Sequence, residues 1–155
     1  VFRIADSQVA SRWGNITEFK NFDLITPNEK EARFSLADQD STVGGLAGLL
    51  KKKTKYKNII LKLGSRGIVC CSEQKGAELI SIGSFTDNVL DAVGSGDALL
   101  AYSSLILKLT NSIVAAGIIG SIAAACECEI DGNKPITVDL VLQKIDTIEK
   151  KTHYN

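Results

Sequence analysis

The chain of 155 residues carries 18 basic and 18 acidic side chains, no formal net charge, 45% hydrophobic and 23% charged residues. Such a chain fits one globular domain with its own core, and its balance gives no general attraction to nucleic acid or to an anionic membrane. The longest apolar stretch, Ser112 to Cys126, is too short and too rich in Gly, Ala and Ser to span a bilayer, and reads as a buried helix.

Val1 to Ala5 reads as a β-rich run ending at Asp6, the end at which open α/β sheets hold ligands. Ser7 to Asn15 is polar loop, with Trp13 a packing residue. Asn21 to Thr26 carries the next strand, which Pro27 stops. Asn28 begins a helix whose early acidic residues suit its start. A second helix runs from Ser41 to Lys53, capped by Ser41 or Thr42. It ends in KKKTKYK, where five lysines in seven residues complement a helix C-terminus or, alternatively, attract a polyanion.

Asn58 to Leu63 is a strand apolar enough to be covered on both faces. After the tight turn Gly64 to Gly67, Ile68 to Ser72 and Glu78 to Ile82 read as strands. So short a connection implies antiparallel pairing at a sheet edge. A loop from Gly83 leads to helices over Asp97–Leu109 and Asn111–Cys128. A last helix is capped by Thr137 and reaches about Lys151. Strands alternating with helices predict a mostly parallel sheet with helices on both faces, and no linker divides residues 1–155. The four cysteines fall as Cys70-Cys71 and Cys126-x-Cys128, neither a zinc spacing, and read as reduced thiols of a cytoplasmic protein.

The chemistry concentrates in DAVGSGDALLA, Asp91 to Ala101. A glycine turn runs into an apolar helix with Asp97 at the junction. Free N–H groups at a helix start can hold a phosphate, and a carboxylate there is a candidate base. This pairing suits phosphoryl transfer to a hydroxyl, although a glycine loop with an Asp helix cap is also a common structural device. No Walker sequence G-x-x-x-x-G-K-[ST] occurs, and Leu99 stands where a dinucleotide fingerprint wants its third glycine.

Three ordered stretches carry a family likeness. DAVGSGDALLA resembles the C-terminal signature of the ribokinase-like, or PfkB, carbohydrate kinases. LKLGSRGIV resembles their strand and Gly-x-x-Gly turn beside the nucleotide. TPNEKEA resembles their Asn-x-x-Glu motif. Ala92, where a hydroxyl residue is usual, and Tyr102, where a small one is usual, depart from the pattern. Family members have about twice this length, so the resemblance identifies these residues with the C-terminal, nucleotide-binding half of a kinase. The ADSQ and FKNFDLITPNEKEAR stretches look most like heptose-phosphate kinases.

The resemblance implies a three-layer α/β/α fold with a β-hairpin at one edge of the sheet. It implies ATP-dependent phosphorylation of a sugar or sugar-phosphate hydroxyl. Asp97 is then the general base, and the backbone of Gly94, Ser95 and Gly96 the anion hole. Lys62, Gly64, Gly67, Ser121 and Gly132 (with Asn133) are nucleotide contacts. Asn28 and Glu31 organise Mg2+, and Asp91 helps to hold a monovalent cation such as K+. Dimerisation, where it occurs, uses a lid that these residues do not include. Two other readings stay open: a nucleotide-binding relative without catalysis, and an α/β enzyme whose glycine turns are structural.

Overall fold

The computed structural model describes residues 1–6, 15–73, 78–132 and 134–153, so Trp13, Asn133 and most of the predicted first loop lie outside the described residues. Contacts within the chain group it into two compact units, Val1–Gly83 and Ser84–Asn155.

The first unit is built on a sheet of five strands lying side by side in chain order. These are β1 (Ile4–Ala5), β2 (Leu24–Ile25), β3 (Asn58–Lys62), β4 (Ile68–Ser72) and β5 (Leu79–Ile82). β1, β2 and β3 pair in parallel, whereas β3–β4 and β4–β5 are antiparallel. The predicted edge hairpin is therefore present, joined through β4 to the parallel part. Ile59, Ile60 and Leu61 have no exposed surface, as the reading of β3 as a doubly buried strand requires.

Helices α1 (Glu29–Leu36) and α2 (Val43–Thr54) follow β2. Their Ala32, Leu46 and Leu50 form one core with Ile25, Ile59 and Leu61 of the sheet. Tyr56 joins this core and places its hydroxyl 3.1 Å from the Ala47 carbonyl, so the buried phenol is satisfied. The lysine run ends α2 with Lys55 in a left-handed cap. Lys51 turns back to the Tyr56 carbonyl and to Glu73.

β1 and β2 are shorter than predicted. Ahead of them a side chain takes the Arg3 N–H: the Asp23 carboxylate accepts it at 2.7 Å and pairs with Lys57 at 2.7 Å, while the Asp23 N–H donates to the Arg3 carbonyl at 2.8 Å. A 3-10 turn at Ile16–Glu18, which the sequence reading assigns to no element, buries Ile16 completely.

The second unit is helical, with α3 (Ser95–Thr110), α4 (Ile113–Cys128) and α5 (Val138–His153). Asn111, in a left-handed cap, and Ser112, whose hydroxyl accepts the Ala115 N–H at 3.2 Å, turn α3 into α4. The two helices meet at Gly120, where an added Cβ would lie 1.9 Å from Ser103 Oγ and 3.0 Å from the Leu99 carbonyl oxygen. Val141 of α5 packs with Ile122, Ala123 and Cys126 of α4. Tyr102 serves this packing, its hydroxyl donating to the Ile136 carbonyl at 2.8 Å. No helix among the described residues is long and apolar enough to cross a membrane.

Two predictions follow from the packing. Gly120→Ala forces α3 and α4 apart and should cost about 1–3 kcal/mol in urea unfolding. Adding Ser103→Ala should recover part of that loss. The Asp23 carboxyl is raised by burial, but Lys57 and the Arg3 N–H outweigh this and hold it below the ordinary carboxylate range. Its folded value thus lies under its unfolded one, and its contribution is present at neutral pH and lost as pH falls through the folded value. The urea midpoint of Asp23→Asn should therefore trail the parent's at pH 7 and approach it in acid.

Candidate functional site

In the first unit the sequence-predicted residues gather at the carboxyl ends of the parallel strands. Asp6 follows β1, Thr26 and Asn28 follow β2, and Lys62 ends β3. A parallel bridge joins Asn28 to Lys62, whose N–H donates to the Pro27 carbonyl at 2.9 Å. The Lys62 ammonium lies 2.7 Å from Asp6 Oδ2, the two side chains being 19% and 16% exposed. The lysine that the sequence leaves in need of a partner thus has a carboxylate one. The Thr26 hydroxyl is buried in the same strand end with no hydrogen-bond partner among the described residues.

Asn28 and Glu31 close a reciprocal capping box. Asn28 Oδ1 accepts the Glu31 N–H and Glu31 Oε2 accepts the Asn28 N–H, each at 2.8 Å. Glu31 is 5% exposed, so the pair is not merely a solvated first turn. Among the described residues no three His, Cys, Asp or Glu side chains converge as a metal cage. An amide and a carboxylate oxygen fit magnesium, which keeps most of its waters and takes few protein ligands.

The Gly64–Gly67 turn is a short 3-10 segment. Gly64, at φ 64°, has open space where a Cβ would point. At Gly67, φ 84°, a Cβ would lie 2.2 Å from the Ile82 carbonyl oxygen. Gly64 therefore offers a bare backbone surface, and Gly67 is glycine because β5 lies against it. Arg66 is exposed yet paired with Glu29, which also holds Arg33. The hydrogen bond from Arg33 first, with burial working against it and Arg66 adding to it, lowers the Glu29 carboxyl below its ordinary value.

In the second unit the helix after the glycine turn starts earlier than expected. Gly94, at φ 85°, is its N-cap, and the first intrahelical bond runs from the Ala98 N–H to the Gly94 carbonyl at 2.9 Å. Asp97 is thus the third helical residue, not the cap, because only glycine readily holds that positive φ and the helix begins directly after it. Ser95 gives both its N–H, at 3.3 Å, and its hydroxyl, at 2.8 Å, to the Ala92 carbonyl. The N–H groups of Gly96 and Asp97 precede the first intrahelical bond and meet no acceptor among the described residues.

Other helices here are capped by side chains: Asn28 for α1, Thr42 for α2, Ser112 for α4 and Thr137 for α5. α3 has no side-chain cap. Its start therefore presents a positive dipole end and unspent donors beside a carboxylate.

Upstream of this turn, Asp91 Oδ1 accepts the Val93 N–H at 2.9 Å, shaping the loop. The N–H groups of Leu90 and Asp91 both donate to the Cys128 carbonyl, at 2.8 and 3.2 Å. Among the described residues, Ser121, in α4, is buried with its hydroxyl unpartnered, and Gly132, at φ 80°, is open on its side-chain face. The sequence reading assigns no role to Thr26 or Glu29 and gives Asp6 no partner. Asp6 and Lys62 are 56 positions apart, a separation that leaves no local pattern.

No curated protein matches the chain significantly. Solved structures do. The ribokinase of Arabidopsis thaliana, complexed with ribose and ATP, is 21% identical with a TM-score of 0.78, covering 94% of this chain and 47% of that one. The ribokinase of Thermotoga maritima is 24% identical with a TM-score of 0.76, covering 92% and 48%. Escherichia coli phosphofructokinase-2, in complex with potassium, is 19% identical with a TM-score of 0.77, covering 94% and 47%. The chain spans about half the length of these relatives and has their ribokinase-like α/β fold. The family profile described as pfkB family carbohydrate kinase matches residues 8–135, a span that holds all three motifs, and the chain therefore belongs to the PfkB family of carbohydrate kinases.

Proposed function

We propose that the protein carrying this chain transfers the γ-phosphoryl group of ATP to a hydroxyl of a sugar or sugar phosphate, and that this chain supplies its nucleotide-binding half. The observation that carries this reading is the uncapped start of α3, with Asp97 in its first turn. Asp97 takes the proton of the acceptor hydroxyl as that oxygen attacks phosphorus. The glycine turn, Gly94 to Gly96, leads into the N–H donors for the charge on the transferring group, those of Gly96 and Asp97, since the Ser95 N–H is given to the Ala92 carbonyl; such donors are worth most in a site closed to water.

Gly64 offers bare backbone to the nucleotide, with Gly67 shaping the turn. Lys62, held by Asp6, provides a fixed positive charge for phosphate. Ser121 and the Gly132 loop are assigned to the adenine side. Asp91 is assigned to a monovalent cation, with one carboxylate oxygen already engaged by Val93. Asn28 and Glu31 orient the waters of a magnesium ion. When bound, that ion neutralises phosphate charge. The likeness of the first third of the chain to heptose-phosphate kinases makes a heptose phosphate the first acceptor to assay.

Asp97→Asn is the test. The amide keeps the size and place of the side chain but cannot take a proton. Turnover should fall by about two to four orders of magnitude. ATP affinity, followed by titration, should hold or rise slightly, since a negative charge near the phosphates is gone. Near-normal turnover would falsify the base assignment. Glu31→Gln preserves the capping box, which Gln also forms. It should leave the melting temperature nearly unchanged while raising the magnesium concentration needed for half-maximal activity, and an unchanged magnesium dependence would reduce the pair to a helix start.

A further inference from the structure

The loop that leads into the glycine turn is gripped by side chains that belong to none of the three motifs. Lys144, on α5, places its ammonium 2.7 and 2.9 Å from the two carboxylate oxygens of Glu129 and 3.2 Å from Asp87 Oδ2. The Asp87 N–H donates to Glu129 Oε1 at 2.9 Å, and Lys151 reaches Asp87 Oδ2 at 2.8 Å. The Lys144 side chain is 10% exposed and that of Glu129 26%, so this pair is the inner part of the cluster. Asp87 and Lys151, at 60% and 58%, form its wet rim.

This cluster is a poor choice for stability alone. Glu129 sits at the C-terminus of α4, where the helix dipole disfavours a carboxylate and no basic residue occupies the last turn. Asp87 brings a second negative charge to the same place. Burying an ammonium costs desolvation that ion pairing only partly returns. Burial draws Lys144 down, but the hydrogen bonds it donates to Glu129 and Asp87 outweigh this and hold the ammonium above its ordinary value, so it is charged at neutral pH.

What the cluster does well is hold the loop in one place. Glu129 fixes residue 87 through its N–H. The residue before it, Cys128, accepts the N–H groups of Leu90 and Asp91. Two adjacent residues at the end of α4 therefore grip the loop at three points. From Asp91 the hold passes to Val93 through the aspartate side chain, and the Ala92 carbonyl anchors Ser95. Only Gly94 lies between this strap and the first turn of α3.

We propose that Lys144 and Glu129 are positioning residues for phosphoryl transfer: their clamp on residues 87–91 sets the place of the Gly94–Gly96 turn. The proposal rests on the reading of that turn and Asp97 as the catalytic centre. Neither residue touches a substrate; both act through the backbone of the strap.

The experiment compares Lys144→Met, Lys144→Arg, Glu129→Gln and the exposed control Lys150→Met in the complete protein. In Lys144→Met, kcat should fall about ten- to hundredfold, the scale set by small misplacements of reacting groups. The KM for ATP should move less than about threefold, which separates lost transition-state contact from lost binding. The amides of Leu90 and Asp91 should exchange with deuterium faster. Lys144→Arg, which keeps the charge and can bridge both carboxylates, should restore most of the rate. Lys150→Met should change nothing.

An unaltered kcat in Lys144→Met with faster exchange overturns the proposal, since the strap would then move without consequence. Unaltered exchange overturns it too, since the clamp would hold nothing. If Lys144→Met does not fold, Glu129→Gln decides by the same two readouts, because Gln can still accept the Asp87 N–H and the loss is confined to charge. Amide exchange needs no turnover. Failure of the catalytic reading, seen as full activity in Asp97→Asn, is thereby distinct from failure of the clamp.

Discussion

The chemistry of this chain depends on a constraint every helix meets: the N–H groups of its first turn have no intrahelical partner. Four of its helices resolve that constraint with a side chain, from Asn28, Thr42, Ser112 and Thr137. α3 does not. Gly94 has no side chain to give, and its positive φ excludes the β-region geometry that a Ser or Asp cap adopts. Two donors are left pointing at whatever lies ahead of the helix, and an anion is what satisfies them best. A carboxylate within that turn gains from the dipole at the same time, so unspent donors and a carboxylate share one element. α1 makes the opposite choice. Its box of Asn28 and Glu31 is closed, each side chain accepting the other's backbone N–H, and Glu31 is buried.

Much of this was legible in the sequence because it is local. β4 was read with the bounds that it has, Ile68 to Ser72, and α1, α2 and α4 to within one or two residues, since caps and apolar periodicity declare themselves over a few positions. The three motifs were legible for the same reason. Ahead of β1 and β2 the Arg3 N–H goes to the Asp23 side chain, a contact across 20 positions that no local pattern shows. The start of α3 was misplaced by two residues because an acidic residue in a first turn looks much like a cap until φ at Gly94 is known. The pairs Asp6–Lys62, Glu29–Arg66 and Glu129–Lys144 were invisible, as each joins elements that only the fold brings together.

Lys62 shows how the fold adds a partner that sequence reasoning could not name. A lysine at the end of a buried strand needs a counter-charge, and the sequence offered phosphate as the candidate. The structure supplies Asp6. The two are compatible, since an ammonium has three donors and a carboxylate beside it uses one. The pairing changes the electrostatics all the same. A preformed neutral pair costs less to keep at a strand end than a lone cation, and it holds the ammonium in one rotamer before any ligand arrives. A fixed charge that needs no reorganisation is the more effective kind in phosphoryl transfer.

The glycines of a motif need not share one purpose. Gly64 and Gly67 belong to one Gly-x-x-Gly turn and both have positive φ, yet their surroundings differ. Gly67 is pressed against the backbone of Ile82 and Gly83, and any side chain there collides with β5. Gly64 has nothing within 4 Å of where its Cβ would be. Substitution of Gly67 therefore acts through the sheet, and substitution of Gly64 through the turn's own strain and whatever approaches its open face. A motif match counts the two as equal, but only the open one is free to touch a ligand. The same distinction applies in the second unit, where Gly120 is needed for the approach of α3 to α4 and Gly94 for the left-handed entry to α3. Of these four positions, Gly67 and Gly120 are held by the protein's own packing, Gly64 is open where a Cβ would point, and Gly94 is set by its positive φ.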